Sequence, residues 1–142
     1  MAEFDLDNSL GFIINRTAAK LKRELQRSFE PYDVTPEQWV LLNRLWANDG
    51  IPQNQIADST NKDQPNVTRI IDRLEEKGLV ERRPDPNDRR AFGIFLTSKG
   101  RGLQDQLVSL ASDLLGKALR GVSQDELSLV KILLNKIYEN LG

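Results

Sequence analysis

Residues 53–96 read QNQIADSTNKDQPNVTRIIDRLEEKGLVERRPDPNDRRAFGIFL, and the order of elements inside this stretch decides the fold. Gln53 to about Ser59 is a short helix with Ile56 and Ala57 as its apolar positions. Asn61 tolerates a left-handed turn, and Asp63 can cap the helix that follows. Val67, Ile70, Ile71 and Leu74 then fall at i, i+3, i+4 and i+7, the stripe of a buried helix face. Gly78 suits the position just past a helix end. There the period changes. Leu79–Arg83 and Phe92–Leu96 are short and β-rich, and the turn-rich Pro84–Arg90 lies between them, which predicts a β-hairpin with a long charged loop.

A short helix, a tight turn, a second helix and a β wing, in that order, make a winged helix-turn-helix. Working outward, Thr35-Pro36-Glu37-Gln38 is a capping box with proline at the first helical position, and its helix runs through Trp39, Leu42, Leu45 and Trp46 to Gly50. Before it, Asn8–Glu30 repeats apolar residues at Leu10, Ile14, Leu21, Leu25 and Phe29 until Pro31 stops it. After the hairpin, Thr97 or Ser98 starts a helix with the stripe Leu103, Leu107, Leu110 and Leu114, broken by Gly121. Ser123–Glu126 is a second capping box, and Leu127, Val130, Leu134, Ile137 and Leu141 mark the last helix. The reading is a mainly α protein of order αααα-ββ-αα. A winged helix-turn-helix domain spans residues 33–99, flanked by terminal helices in 1–32 and 100–142.

Composition narrows the chemistry. The 142 residues include no Cys and no His, which excludes disulfides, Cys/His zinc sites, thiol redox sensing and His-dependent catalysis. No Gly-rich phosphate loop or nucleophile motif is present, and the carboxylates are scattered among basic partners, so an enzyme is not expected and no cofactor is implied. No run approaches the roughly 18 apolar residues of a membrane span, and the N-terminus lacks a basic signal-peptide region, so a cytoplasmic protein is expected. The net charge is only −1, but it is unevenly spread. Residues 62–101 carry 10 Lys/Arg against 7 Asp/Glu, a net of +3, while residues 1–61 carry 6 against 9. The positive charge therefore concentrates on the second helix and the hairpin, where an anionic partner would be met.

On a helical wheel, Asn66, Thr68, Arg69 and Arg73 fall opposite the buried stripe, and Asn, Thr and Arg are base- and phosphate-reading types. Arg89 and Arg90 at the hairpin tip could enter an adjacent minor groove. Each feature alone has a plain structural reading. Arginines on an amphipathic helix are often only solvated, and Asp88 could bridge to Arg90 to stiffen the loop. Their combination in this order points to double-stranded DNA. A winged module that binds protein instead is the competing reading, and it has no need of the paired wing arginines.

The run from Gln53 to Arg83, followed by Asp85-Pro-Asn-Asp-Arg-Arg and Leu96-Thr-Ser-Lys-Gly, resembles the MarR family of transcription regulators, and the resemblance covers essentially the whole chain. It implies a homodimer whose terminal helices interlock, and a repressor that binds a pseudo-palindromic operator with half-sites roughly 10 bp apart. The resemblance assigns Asn66, Thr68 and Arg69 to the major groove and Arg90 to the minor groove, and Gln64 and Arg73 complete the candidate DNA-binding residues on the helix. On the wing they are Asp88, Arg89 and Arg90, with Asp88 positioning the arginine. Release by a small aromatic or lipophilic anion is implied as well, in a pocket for which Arg16, Phe29, Trp39 and Trp46 are candidates. Trp39 and Trp46 are seven residues apart on one helix and read more readily as core than as pocket. Without Cys, peroxide sensing by thiol oxidation is excluded.

Overall fold

The computed structural model describes residues 3–60 and 62–142, with residues 88–91 described by their backbone alone. Among the described residues, seven α-helices and one hairpin follow in the order α1 (Leu10–Phe29), α2 (Pro36–Ala47), α3 (Gln53–Thr60), α4 (Gln64–Glu76), β1 (Val80–Asp85), β2 (Asp88–Leu96), α5 (Ser98–Gly102), α6 (Gln104–Ala118) and α7 (Gln124–Asn140). The chain is thus mainly helical with a two-stranded antiparallel wing.

The caps behave as their chemistry dictates. Thr35 accepts from the Gln38 backbone N–H while the Gln38 side chain accepts from the Thr35 N–H, and Ser123 with Glu126 does the same at α7. Asp63 accepts from the Asn66 N–H at 2.8 Å, and Thr97 caps α5. Pro31 does not stop the chain's helical course at once. Residues Glu30–Tyr32 continue as a 3-10 turn, and Asp33 then adopts a left-handed conformation at φ 54°.

Two boundaries differ from the sequence reading. The hairpin strands run much closer to the tip than Arg83 and Phe92, since Pro84 pairs with Phe92 and Asp85 with Asp88. The register shifts between Pro84 and Asp85, so an irregular strand pairing takes up residues that composition alone had assigned to a loop. The single helix expected after the hairpin is split at Leu103 into α5 and α6.

One hydrophobic core lies under the wing and the helix-turn-helix. Leu41, Leu42 and Leu45 of α2, Ile56 of α3, the α4 stripe Val67, Ile70, Ile71 and Leu74, and Leu79, Val80, Ile94 and Leu96 of the hairpin are all buried. Phe29 at the end of α1 and Leu107 near the start of α6 enter the same core, so it draws on residues outside 33–99. Residues 50–52 add a second, short pairing to β2. Gly50 donates to the Ile94 carbonyl at 2.9 Å, and Ile94 donates to the Ile51 carbonyl at 3.0 Å. The long arms of α1, α6 and α7 project beyond this core, and α7 has no buried residue at all.

Gly100 fixes how the wing base meets α5. A Cβ there would lie 2.2 Å from the Leu79 carbonyl oxygen, a backbone atom also held by the Thr97 N–H at 3.1 Å. The Gly100 carbonyl in turn accepts from the Trp46 indole at 3.0 Å. An alanine would gain roughly 1 kcal/mol of helix propensity, but the overpacking costs about 3 kcal/mol, because neither backbone can yield alone. Gly100→Ala is therefore expected to lower the unfolding free energy in a urea titration, and an unchanged midpoint would show that the contact relaxes freely. A second prediction concerns acid. The Lys22 ammonium, 2.5 Å from Glu37, ties α1 to α2 and holds the Glu37 carboxyl below its usual range. A depressed carboxyl stabilises the fold above its unfolded pKa, and the contribution fades as pH falls through the folded value. Lys22→Gln should therefore cost stability at pH 7 and little below the carboxylate range, read as Tm against pH.

Candidate nucleic-acid interface

Helix α4 is held so that one face is committed to the core and the other is left polar. Gln64 and Arg69 are exposed, Asn66 and Thr68 are partly exposed, and Arg73 is exposed one turn further along. Arg69 Nη2 reaches the Asn66 Oδ1 at 3.4 Å, which gathers both side chains at the N-terminal half of the helix. Thr68 is more tightly engaged. Its hydroxyl donates to the Gln64 carbonyl at 2.9 Å and accepts from Gln53 Nε2 at 2.7 Å, which joins α4 to α3 across the turn.

The sequence reading did not single out the residue that joins α4 to the wing. Arg82 on β1 donates to Asp72 Oδ1 at 2.6 Å, to Glu75 Oε1 at 2.8 Å and to the Thr68 carbonyl at 3.3 Å. Its own backbone N–H donates to Glu75 Oε2 at 3.2 Å. The side chain is only 18% exposed, so these charge-assisted bonds are shielded from water more than surface pairs are. A signal for it existed. Asp72 and Glu75 lie three apart, on the flank of a helix otherwise rich in arginine, and need a cation from elsewhere.

This changes the electrostatic balance of the region. Lys77 turns inward to the Asp33 carbonyl at 2.5 Å and to Gln38 Oε1 at 2.8 Å. Arg83 pairs with Glu81 and lies 4.3 Å over the Phe95 ring. Arg101 bonds the Leu96 carbonyl at 3.0 Å and lies 3.8 Å from Asp49. Lys99 donates to the Lys77 carbonyl at 3.1 Å, so five of the cations counted in residues 62–101 are satisfied within the protein. Among the described residues, Arg69 and Arg73 have no carboxylate within ion-pairing distance. The side chains of Asp88, Arg89 and Arg90 lie outside the described residues.

The four effector-pocket candidates are not brought together. Phe29 and Trp39 stack with ring centroids 5.0 Å apart, and Trp39 meets Trp46 edge-on at 5.7 Å. Phe29 is fully buried, and the two tryptophans pack against the core. Arg16 stands apart, 5.7 Å from the Phe12 ring, in a groove between α1 and α6. Among the described residues, no group of acidic side chains is placed to hold a metal ion, and no helix is long and apolar enough to cross a membrane.

Comparison with known proteins agrees with this geometry. The MarR family model matches residues 34–92, which span α2 through most of the wing. The operator-bound structure of a cysteine-to-serine mutant of MarR from E. coli is similar at 30% identity and a TM-score of 0.87, covering 96% of this chain and 99% of that one. The MepR–DNA complex from S. aureus is 27% identical with a TM-score of 0.88, covering 97% and 99%. CouR from Rhodococcus jostii bound to p-coumaroyl-CoA shares the fold at 21% identity and a TM-score of 0.84, covering 95% of each chain. With its winged helix-turn-helix and a match at 30% identity to MarR from E. coli over 99% of that chain, the chain belongs to the MarR family of transcriptional regulators.

Proposed function

We propose that the protein is a homodimeric, sequence-specific DNA-binding repressor of the cytoplasm, released from its operator by a small lipophilic or aromatic anion. The observation that carries the DNA-binding reading is the polar face of α4. There Asn66, Arg69 and Arg73 face solvent beside a wing that Arg82 locks to the same helix. Gln64, Asn66 and Arg69 read base edges in the major groove, and Arg73 contacts phosphate. Thr68 acts mainly as an anchor, because its hydroxyl is engaged by Gln53 and Gln64. Asp88, Arg89 and Arg90 serve the flanking minor groove. Residues 33–99 form the DNA-binding domain, and 1–32 with 100–142 form the dimerisation domain.

The dimer reading rests on the arms. Helix α7 exposes Leu129, Ile132, Leu133 and Tyr138, and α1 exposes Leu10 and Leu21. Between α1 and α7 runs an apolar groove of about 630 Å³, lined by Ile13, Ile14, Leu134 and Ile137 among others. An isolated 17-residue helix is marginal in water, and this much bare aliphatic surface is uncommon on a monomer. A second copy, bringing the same two helices, covers it with matching chemistry. Structures of relatives with operator DNA and with p-coumaroyl-CoA support the repressor and effector readings.

Selection from a random duplex pool should enrich an inverted repeat with half-sites about one helical turn apart. Arg69→Ala should weaken binding to that repeat by about 1–3 kcal/mol and relax specificity at one position of each half-site. Arg73→Ala should lower the slope of log affinity against log salt by about one per protomer. Arg82→Met should weaken binding yet leave that slope unchanged, because its charge faces Asp72 and Glu75; a lowered slope would instead make Arg82 a phosphate contact. Leu133→Asp should convert the dimer to a monomer by light scattering, and an unchanged mass would remove α7 from the interface.

A further inference from the structure

At the root of the wing, side chains complete the edge of β2 that faces away from β1. In an antiparallel ladder, alternate residues turn both backbone groups to the same edge. Ile94 turns its pair away from β1, where its N–H donates to the Ile51 carbonyl and its carbonyl accepts from the Gly50 N–H. Leu96, two residues on, turns its pair to that edge as well, and the backbone pairing of residues 50–52 ends before it. Two side chains supply the missing rung. Asp49 Oδ1 accepts from the Leu96 N–H at 2.8 Å, and Arg101 Nη1 donates to the Leu96 carbonyl at 3.0 Å.

Charge pairing does not account for this arrangement. Asp49 Oδ2 and Arg101 stand 3.8 Å apart with the arginine 57% exposed, and such a pair contributes little in water. Local turn chemistry accounts for only one bond, from the Gly50 N–H to Asp49 Oδ1 at 3.1 Å. The Leu96 amide lies 47 residues from Asp49 in sequence. The two side chains come from the loop after α2 and from α5, and both end on one residue of the wing. Phe95 closes the joint on its outer face. A Cβ at Gly50 would lie 2.8 Å from its ring, and one at Gly93 2.9 Å.

Residues 49–52 run directly into α3, and Gln53 at the start of α3 holds Thr68 of α4. The wing is thus fastened to α4 through both of its strands. Arg82 ties β1 to α4 directly, and Asp49, Arg101 and residues 50–52 tie β2 to it by way of α3. A hairpin held by one strand can rock about that attachment, whereas attachments on opposite edges fix its cant. We propose that Asp49 and Arg101 are positioning residues that fix the cant of the wing against α4 and so set which base pairs flanking each half-site the wing meets. The second half of this statement rests on the DNA-binding reading above. Both side chains act through the peptide groups of Leu96, so position 49 needs an acceptor oxygen and does not need a charge.

The test uses the full-length protein. Without DNA, hydrogen exchange followed by NMR reads the amides one by one. Asp49→Ala should quicken exchange at Ile94 and Leu96 by about tenfold or more and leave the α4 amides unchanged, because only the wing root opens. Asp49→Asn keeps an acceptor oxygen and should keep exchange slow. With DNA, selection from a random duplex pool compares half-site and flanking positions. Asp49→Ala and Arg101→Met should keep the half-site preference, lose the flanking preference and bind the selected repeat about tenfold more weakly, the scale of one lost base-pair contact. Asp49→Asn should bind as the wild type does. Equal exchange in Asp49→Ala and the wild type overturns the proposal. An Asp49→Asn variant as impaired as Asp49→Ala overturns it too, as does a loss of affinity that is the same for intact and scrambled flanks. Should Asp49→Ala fail to fold, Arg101→Met carries the same two expectations. A wild type that selects no repeat overturns the DNA-binding reading instead, and the exchange measurement still decides whether the two side chains hold the wing.

Discussion

Helix α4 must bury four aliphatic side chains on one face while its opposite face stays polar and free. That constraint organises the winged lobe. The stripe Val67, Ile70, Ile71 and Leu74 supplies the apolar adhesion, but adhesion of this kind is non-directional and would tolerate some sliding or rotation. Directional contacts remove the freedom. Asp63 caps the first turn, Gln53 reaches Thr68 from α3, and Arg82 reaches Asp72, Glu75 and the Thr68 carbonyl from β1. Lys77, past the helix end, is fastened to Asp33 and Gln38. The polar face is therefore presented at an orientation set from both of its flanks and both of its ends, which is the preorganisation that reading a groove requires.

The same contacts explain why charge counting overstates the surface. A net of +3 over residues 62–101 suggests a broad basic patch, yet Lys77, Arg82, Arg83 and Arg101 are occupied by the protein's own acceptors. Two of the acids that lower the net charge, Asp72 and Glu75, are the partners of Arg82. The outward field on α4 thus comes from few residues, and on the proposed reading specificity depends more on where Arg69 and Asn66 are held than on bulk electrostatics.

Much of this was legible in the sequence because helical periodicity and capping are local. The α4 stripe, both capping boxes, the Asp63 cap and the wing all follow from residues within a turn or two of one another. What escaped was non-local or depended on backbone pairing. Arg82 has to be matched to acids seven and ten residues away across a change of secondary structure, and only the fold decides that they meet. The close approach of Gly100 to the Leu79 carbonyl escaped as well, because the two meet only once the hairpin is folded. The hairpin strands extend through Pro84 and Asp85 because pairing with β2 outweighs the turn propensity of those residues. The break at Leu103 has no signal beyond two nearby glycines. Arg16 and the aromatic residues could be grouped by chemistry alone, but Phe29, Trp39 and Trp46 are drawn into one stack by burial while Arg16 remains on the arm.

The arm meets the lobe where the end of α1 and the start of α6 enter the lobe core. Phe29 and Leu107 are fully buried in the lobe core, whereas most of the apolar surface of α7 is left outside it. A force on the arms therefore reaches the lobe through the ends of α1 and α6, and it reaches them as rigid helices packed into a close-packed core. Small changes in the angle between α1 and α6 move α4 as a body and leave its polar face intact. In the proposed dimer, where two lobes would meet two successive grooves of one duplex, such a displacement alters the spacing between the two α4 helices while each half-site contact remains competent. A regulator built this way can lose its operator without unfolding or rearranging a single base-reading residue.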